Sequence, residues 1–392
     1  MTAPEGPSAG RIDELESIRG VAAFVVVVFH FPGWNSVLHS VPLIRHGSAM
    51  VDVFFVLSGF VICRIYGEHI RTPRDLLRFQ LLRFGRLYPV HLLFLTVFLG
   101  LECLKLVLAA TGLFAIQVPA FEANDGPALL ANVLLIHAFM PAEWTGTFNG
   151  PSWTISVEFY CYLLFGGLVL FLNRFRRLIV ASVALLGLAN LTWPMIENYQ
   201  VIRCLAGFFT GCVAAEICRA RPAANWPGWT QGLAAAALLV FLWIMPRGFG
   251  HPLVGVALLT ALLILTIVKG VDGPVRRVLR SPPLLWLGAV SYSLYMAHYL
   301  AIYVMAQLLL RFSPHPLAVV DDNALPQLPL WEAVIVYALL ISAALGLSWL
   351  CWRWVERPCR ALSRRLIFDN LGRFPDSAAG DGLKIASHRA QT

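Results

Sequence analysis

The sequence has few charged residues, and this limits what the chain can be. Only 13% of its residues are charged and 58% are hydrophobic, with a mean hydropathy of +0.70. Soluble globular proteins carry about 25% charged residues, so this composition excludes an ordinary soluble domain. We therefore predict an all-α polytopic membrane protein, folded as a bundle of transmembrane helices.

Motifs for disulfide or metal chemistry are also missing. The eight cysteines include no CxxC pair, and they lie mostly inside apolar runs or at the edges of those runs. This placement is typical of small buried side chains, and it predicts neither a disulfide framework nor a metal site. The net charge of +8 would suggest nucleic acid as the partner of a soluble chain. In a membrane protein, this positive charge is better explained by the orientation of the chain across the membrane. We therefore expect no nucleic-acid partner.

A cleavable leader is absent as well. The first 17 residues are polar and contain Asp13, Glu14 and Glu16 where a leader would have a basic segment. No small-residue cleavage site follows the first apolar run. We therefore expect that run to remain in the protein as a signal anchor.

Long apolar runs recur along the chain. A transmembrane helix needs about 20 apolar residues, and ten runs approach or exceed this length. The runs cover residues 18–38, 48–66, 87–110, 152–173, 178–194, 201–218, 229–246, 252–268, 284–310 and 331–352. An eleventh run, 128–140, has only about 13 residues, and we predict that it is an interfacial or re-entrant segment.

The basic residues predict the orientation of the chain. With about ten transmembrane helices and a cytoplasmic N-terminus, nearly all lysines and arginines outside the runs fall on the cytoplasmic side. Counting 128–140 as a crossing would move the cluster Arg174, Arg176 and Arg177 outside. Both termini are thus predicted to be cytoplasmic. The membrane domain covers residues 1–365, and the polar segment 366–392 is predicted to be a disordered tail.

The first apolar run carries an arginine and a histidine. Arg19 and His30 are 11 residues apart, which is three helical turns plus about 20°, so they lie on one helix face. A rise of about 1.5 Å per residue separates them by roughly 16 Å, which puts Arg19 at the membrane rim and His30 somewhat past the middle. A polar residue at that depth is costly and indicates function. For Arg19 the alternative is a snorkelling anchor.

Other polar side chains interrupt the later runs. Asp52 and Glu158 lie near the outer ends of the second and fourth runs, and Ser291, Tyr295 and His298 share one helix face. A charged side chain at mid-helix costs about 2.5 to 3.5 kcal/mol on insertion scales, so such placements must be compensated. In the structural alternative, Asp52 pairs with an arginine or caps a helix, while Tyr295 and His298 only bond a neighbouring helix.

A basic pair precedes the third run. Arg83 and Arg86 are i, i+3 neighbours if the helix has already begun there, so both guanidinium groups could hold one polyanion. They fall on the same predicted side as Arg19, which favours a phosphate-bearing cytosolic ligand. Anchoring to lipid headgroups is the alternative.

Six blocks of sequence occur in a recognisable order. They are residues 17–30, 51–60, 82–89, 152–160, 291–298 and 354–358. Together they resemble the membrane-bound acyltransferase-3 family, which modifies bacterial surface glycans and other exported or lipid-linked molecules, and the resemblance extends from about residue 10 to 365. The chain departs from the family at Leu82, where a second arginine is frequent, and at Phe159, where an acid or glutamine is common.

The resemblance implies transfer of an acyl group, most often acetyl, from cytosolic acyl-CoA to a hydroxyl of a glycan or glycolipid acceptor. His30 is then the general base, since an imidazole pKa of about 6.5 suits proton transfer at neutral pH. Glu158 or Asp52 would orient it as a carboxylate does in a triad. The remaining site residues are assigned to acyl-CoA binding, namely Arg19, Arg83 and Arg86, and to acceptor contact or structure, namely Trp153, Ser291, Tyr295 and His298.

The resemblance also implies where the protein works and with what. We expect a multi-pass protein of the bacterial cytoplasmic (inner) membrane, in contact with lipids, that uses acyl-CoA as co-substrate and holds no permanent cofactor. Many relatives carry an extracytoplasmic hydrolase-like domain after the membrane part. None follows residue 365 here, so a second step is expected to need a separate extracytoplasmic partner, and a homo-oligomer is also left open.

Two other classes of function fit some of the residues. In a transporter, Asp52, Glu158 and His298 would line a proton or solute pathway. A glycosyltransferase or flippase of lipid-linked sugars is less favoured, because we see no paired acids for a magnesium-bound diphosphate. Within acyl transfer, direct attack by the acceptor is favoured over a transient acyl-His30, and the sequence permits both.

Overall fold

A computed structural model of the chain describes residues 12–111, 119–220, 225–246, 250–320 and 323–374. These residues are predominantly helical, which confirms the predicted all-α bundle. The α-helices are α1 (Asp13–Phe29), α2 (Ser36–His39), α3 (Pro42–Arg45), α4 (Met50–Tyr66), α5 (Pro73–Thr111), α6 (Gly126–Val133), α7 (Ala142–Thr145), α8 (Trp153–Leu172), α9 (Arg176–Thr192), α10 (Tyr199–Ala220), α11 (Trp229–Ile244), α12 (Pro252–Lys269), α13 (Pro274–Leu279), α14 (Pro282–Phe312), α15 (Leu330–Cys351) and α16 (Arg357–Leu371). The predicted outer connection 311–330 contains an antiparallel hairpin of strands β1 (Leu317–Val320) and β2 (Asn323–Pro326).

The long helices agree with the predicted crossings. Within the described residues, seven helical segments are long and apolar enough to cross a membrane. One of them, Gly150–Thr192, contains both α8 and α9, which meet at a 3₁₀ turn over Asn173–Phe175. The shorter helices α1 and α11 occupy the two remaining predicted runs, so each of the ten runs contains a helix.

Helix α1 is shorter than predicted. We expected a crossing over 18–38, but the helix begins at Asp13 and ends at Phe29, and His30 is its C-cap. Pro32 and Gly33 follow immediately, and the residue before a proline is biased away from helical geometry. His30 therefore lies at the end of a helix and not within one, which corrects its predicted place.

Helices α1 and α14 run parallel and are held together through glycine. A Cβ atom at Gly20 would lie 2.5 Å from the backbone nitrogen of Gly288, so only glycine permits this approach. Three residues before Gly20, the hydroxyl of Ser17 donates to the carbonyl of Leu279, at the end of α13, at 2.5 Å. His30 follows Gly20 by ten residues and His298 follows Gly288 by ten residues. The contact between the two glycines therefore places His30 beside His298.

Helices α4 and α10 form a second close parallel pair. Cβ atoms at Gly59 and Gly211 would clash with backbone atoms of the opposite helix, and one at Gly207 would lie 2.8 Å from the Cβ of Phe55. Gly207 and Gly211 are four residues apart, a spacing of small residues that lets membrane helices approach closely. This pair therefore packs backbone against backbone within the core of the bundle.

Over residues 128–140 the structure has only the end of the short helix α6 and a 3₁₀ turn at His137–Phe139, and neither is long enough to cross a membrane. Helix α8 runs antiparallel to α5, since Leu76 approaches Gly166 while Gln80 bonds the carbonyl of Phe159. After α6 the chain turns between these two helices. There the carbonyls of residues 133, 134 and 135 accept hydrogen bonds from Tyr88, Tyr160 and Ser156 at 3.1, 3.1 and 2.5 Å. Side-chain hydroxyls thus satisfy non-helical backbone, as burial between membrane helices requires.

The last described helix, α16, extends beyond the predicted end of the membrane domain. We placed the disordered tail at 366–392, but α16 continues to Leu371, where two nitrogens of Arg78 donate to the Leu371 carbonyl. The predicted boundary at 366 is therefore too early, and residues 375–392 lie outside the described part of the chain. The start of α5 and the end of α16 belong to one end of the bundle, which we call the basic end, because Arg83, Arg176 and Arg219 also lie there.

Candidate functional site

Two histidines meet where α1 ends. The Nδ1 atom of His30 lies 2.9 Å from the Val26 carbonyl and 3.3 Å from Nε2 of His298, and the ring centroids are 5.0 Å apart. His298 is fully buried, whereas His30 is partly exposed. The sequence nominated both residues but did not pair them.

The hydrogen bonds indicate which ring nitrogens carry protons. Nδ1 of His298 faces the Leu294 carbonyl at 3.3 Å, so this nitrogen carries the proton and Nε2 presents a lone pair. Nδ1 of His30 faces both a carbonyl and that lone pair, so in the neutral ring it is the donor. Nε2 of His30 then keeps a lone pair and has no hydrogen bond to the described residues. A partly exposed imidazole in this tautomer can accept a proton.

Aromatic side chains enclose the histidine pair. The rings of Tyr299 and Phe29 lie 6.3 and 4.9 Å from that of His30, and the ring of Tyr295 lies 5.8 Å from that of His298. The Tyr295 hydroxyl donates to the Pro151 carbonyl at 3.2 Å, which ties α14 to the start of α8. The predicted face Ser291, Tyr295 and His298 is buried as a unit.

Asp52 does not contact the histidines. Its carboxylate accepts two hydrogen bonds from Arg203, at 2.6 and 3.2 Å, and both side chains are almost completely buried. The guanidinium group also lies 5.4 Å from the ring of Trp153 and 5.6 Å from that of Tyr199. The structural alternative for Asp52, pairing with an arginine, is thus what the geometry favours, and Trp153 takes part in the same cluster.

Glu158 is likewise bonded to partners other than His30. Its Oε1 atom accepts from Ser58 at 2.5 Å and from the Tyr162 hydroxyl, which is one turn further along α8. Glu158 is also close enough to Arg86 and Tyr295 to interact with them electrostatically. Neither predicted acid orients the His30 ring directly, and His298 and the Val26 carbonyl do so in their place.

The three predicted arginines belong to one charged cluster at the basic end. Arg19 forms an ion pair with Glu16 at 3.3 Å, and Glu16 also attracts Arg86 electrostatically. Arg360, on α16, interacts electrostatically with both Arg86 and Arg83. Arg83 also lies 5.4 Å from the ring of Tyr66 and bonds its hydroxyl at 3.4 Å. Guanidinium groups gathered in this way are chemically suited to an anion.

Glu356 is a buried acid that the sequence did not nominate. It lies in a π-helical turn, Trp352–Glu356, two residues before Pro358. A proline ring crowds the preceding helical turn, and a π turn relieves this. The turn aims Glu356 inward, where it accepts from Ser293 at 2.7 Å and acts on Arg86. Glu356 lies in the block 354–358, one of the six that carry the family resemblance, and this was the signal in the sequence that could have identified it.

A second histidine pair was also missed. The rings of His91 and His137 stack with centroids 5.9 Å apart, and His137 Nε2 lies 3.3 Å from the Ser152 hydroxyl. Burial lowers the pKa of His137 to about 4, and the neighbouring His91 adds to the effect. His137 is therefore neutral at physiological pH and connects the turn after α6 to the segment before α8.

Comparisons with known proteins bear on what this site does. A sequence model of acyltransferase family 3, described as an acyltransferase domain, matches residues 12–353. The acyltransferase MdmB of Streptomyces mycarofaciens is 26% identical over 97% of this chain and 99% of its own length. The O-acetyltransferase OatA of Staphylococcus aureus is 25% identical over 73% of this chain, which spans only 49% of that relative. No solved structure gives a significant match.

Proposed function

This chain belongs to the acyltransferase-3 family, and on that premise we propose that it is an integral membrane O-acyltransferase. It moves an acyl group, preferably acetyl, from acyl-CoA to a hydroxyl of a sugar-containing acceptor. The observation that carries the proposal is the partly exposed His30, whose Nδ1 donates to the Val26 carbonyl and whose Nε2 is left to accept a proton. The O-acetyltransferase OatA among the relatives supports transfer of acetyl to an oxygen, and we propose a glycan or glycolipid as the acceptor that carries it.

The chemistry follows from the free lone pair. Nε2 of His30 removes the proton from the acceptor hydroxyl as its oxygen attacks the thioester carbonyl. The tetrahedral intermediate collapses with cleavage of the carbon–sulfur bond, and the imidazolium returns its proton to the CoA sulfur. The products are the acyl ester and free CoA, and the histidine ends as it began. Such proton transfer contributes about 10² to 10⁴ in rate.

His298 is a positioning residue in this scheme. Its Nε2 atom accepts from the same Nδ1–H that donates to Val26, so it helps to fix the His30 ring and its tautomer. When His30 takes a proton, the Nδ1–H bond to His298 becomes charge-assisted and therefore stronger. This stabilises the imidazolium as it forms.

The arginine cluster is proposed to hold the donor. Arg19, Arg83, Arg86 and Arg360 outnumber the carboxylates of Glu16 and Glu356 among which they lie. The excess of positive charge suits the phosphates of CoA, with guanidinium groups as bidentate donors. We place this basic end in the cytosol, with both termini, because the arginine-rich connections lie there. A C-terminal reporter that is active only in the cytosol tests this orientation.

The activity is tested by two measurements on the same strain. Membranes that contain the protein are given acetyl-CoA labelled in the acetyl group, and the label is followed into alkali-labile glycan or glycolipid. In parallel, the masses of surface glycans are compared between cells with and without the gene. We expect the label to enter an ester and the glycan mass to change by whole acetyl groups. Solute uptake coupled to a proton gradient, without any acylated product, would instead establish a transporter.

A further inference from the structure

A groove at the basic end is not part of the proposed donor or acceptor path. Its volume is about 680 Å³, and it opens between the connection after α4 and the turn between α8 and α9. Its polar lining includes Glu68, Arg71, Asn173, Arg174 and Arg177. Arginines outnumber carboxylates in this lining, since Glu68 is the one acid among its described residues.

Two arginines beside the groove are already held in ion pairs and hydrogen bonds within the protein. Arg176 bonds Glu216 at 2.8 Å and the Gly67 carbonyl at 2.5 Å, and only 12% of its side chain is exposed. Arg219 lies 3.0 Å from Glu68, bonds Glu216 and donates to the Cys63 carbonyl at 3.1 Å. These two arginines neutralise both carboxylates of the region and join α4, α9 and α10.

Arg174 and Arg177 then carry positive charge that exceeds the negative charge of the neighbouring carboxylates. Arg177 is 67% exposed and touches a carboxylate, Glu216, that two other arginines already neutralise. Arg174 is exposed, makes no ion pair within the described residues, and lies 5.7 Å from the ring of Phe175. Two uncompensated guanidinium groups on one groove are a receptor for an anion with several acceptor oxygens.

The surroundings place the groove at the boundary of the lipid-facing surface. Phe171, Phe175 and Leu178 flank it and are 78%, 54% and 67% exposed, so an apolar surface adjoins the basic one. Phosphate groups of lipids lie at this boundary, and guanidinium groups there attract them. The groove is also wide enough for a nucleotide phosphate from solution.

We infer that the groove bounded by Arg174 and Arg177 is a phosphate-binding site. The ligand carries a phosphate ester, either as the headgroup of an anionic lipid or as a soluble nucleotide. The site is distinct from the cluster of Arg19, Arg83 and Arg86, because none of these three arginines lines the groove. The inference does not rest on acyl transfer.

The test uses the full chain purified in neutral detergent and two probes. One probe is phosphatidylglycerol against phosphatidylcholine, read by native mass spectrometry. The other is adenosine 3′,5′-bisphosphate, read by equilibrium binding. The variant is Arg174→Gln with Arg177→Gln, and the matched control is Arg277→Gln with Arg365→Gln, which removes the same charge from exposed helices at the basic end. Arg174→Gln alone serves if the double variant unfolds.

We expect the double variant to bind one probe about tenfold to thirtyfold more weakly than wild type, from about 1 kcal/mol for each arginine near the surface. The control should bind as wild type does. Weaker phosphatidylglycerol binding identifies a lipid headgroup, and weaker bisphosphate binding identifies a soluble ligand. If both probes bind the groove variant and the control equally, the inference is overturned. His30→Ala should retain groove binding, so failure here and failure of the proposed function are distinguishable.

Discussion

The substitution Asp52→Ala separates structural from catalytic roles of a buried acid. Asp52 lies in the first turn of α4 and accepts two hydrogen bonds from Arg203, at 2.6 and 3.2 Å. After the substitution Arg203 keeps its bond to the Ser48 carbonyl at 3.0 Å but loses the carboxylate. A buried guanidinium group without its counter-charge is expensive in a low-dielectric interior.

The expected loss is about 3 to 5 kcal/mol in the free energy of unfolding, the usual cost of removing one member of a buried ion pair. Removing both charges, in Asp52→Leu with Arg203→Met, leaves no unpaired group, and it should recover most of that loss. Because the carboxylate is bonded to Arg203 and not to His30, the double variant should also retain acyl transfer.

The assay is reversible unfolding in mixed micelles, followed by acyl transfer in membranes with the same variants. Glu143→Ala, at an exposed acid before α8, is the matched control and should change the unfolding free energy by less than about 0.5 kcal/mol. A double variant as unstable as Asp52→Ala would refute the pairing argument. A stable but inactive double variant would mean that Asp52 takes part in the chemistry.

Three further substitutions probe the frame of the site. Gly20→Ala would place a Cβ atom 2.5 Å from the backbone of α14, so it should separate the two histidines and lower the rate of acyl transfer at least tenfold. The control is Gly100→Ala, whose Cβ atom would have no atom within 4 Å, and it should leave the rate in the same assay unchanged. His298→Gln retains an acceptor for the Nδ1–H of His30 and should keep a higher kcat than His298→Leu at similar KM. Ser156→Ala removes a buried hydrogen bond to the turn after α6 and should lower the unfolding free energy by about 1 to 3 kcal/mol, read in mixed micelles.

Patterns that repeat along the chain predicted the fold well. Apolar runs located ten helices, and the length of 128–140 together with the basic residues identified a segment that turns back. The end of α1 was placed too late, because Phe31, Trp34, Val37 and Leu38 keep the stretch after His30 largely apolar although the helix ends before Pro32. Hydropathy reports the tendency to leave water, and the backbone geometry of proline is a separate restriction.

The residues of the candidate site were predicted better than the contacts between those residues. Apart from Trp153, each nominated residue is polar and lies in an apolar run or, like Arg83 and Arg86, directly before one, which sequence can show. The partners come from other helices: Arg203 for Asp52, Ser58 for Glu158 and His298 for His30. These contacts depend on which helices pack together, and the small residues that set the packing, such as Gly20, resemble any other glycine in sequence.

The most direct test of the account is the initial rate of acyl transfer by His30→Ala. With membranes that contain equal amounts of folded protein and saturating labelled acetyl-CoA, we expect a loss of about 10² to 10⁴ relative to wild type, the contribution of a general base. His251→Ala, at an exposed histidine before α12, is the control and should retain the wild-type rate. Full transfer by His30→Ala would contradict the central claim that this imidazole moves the proton.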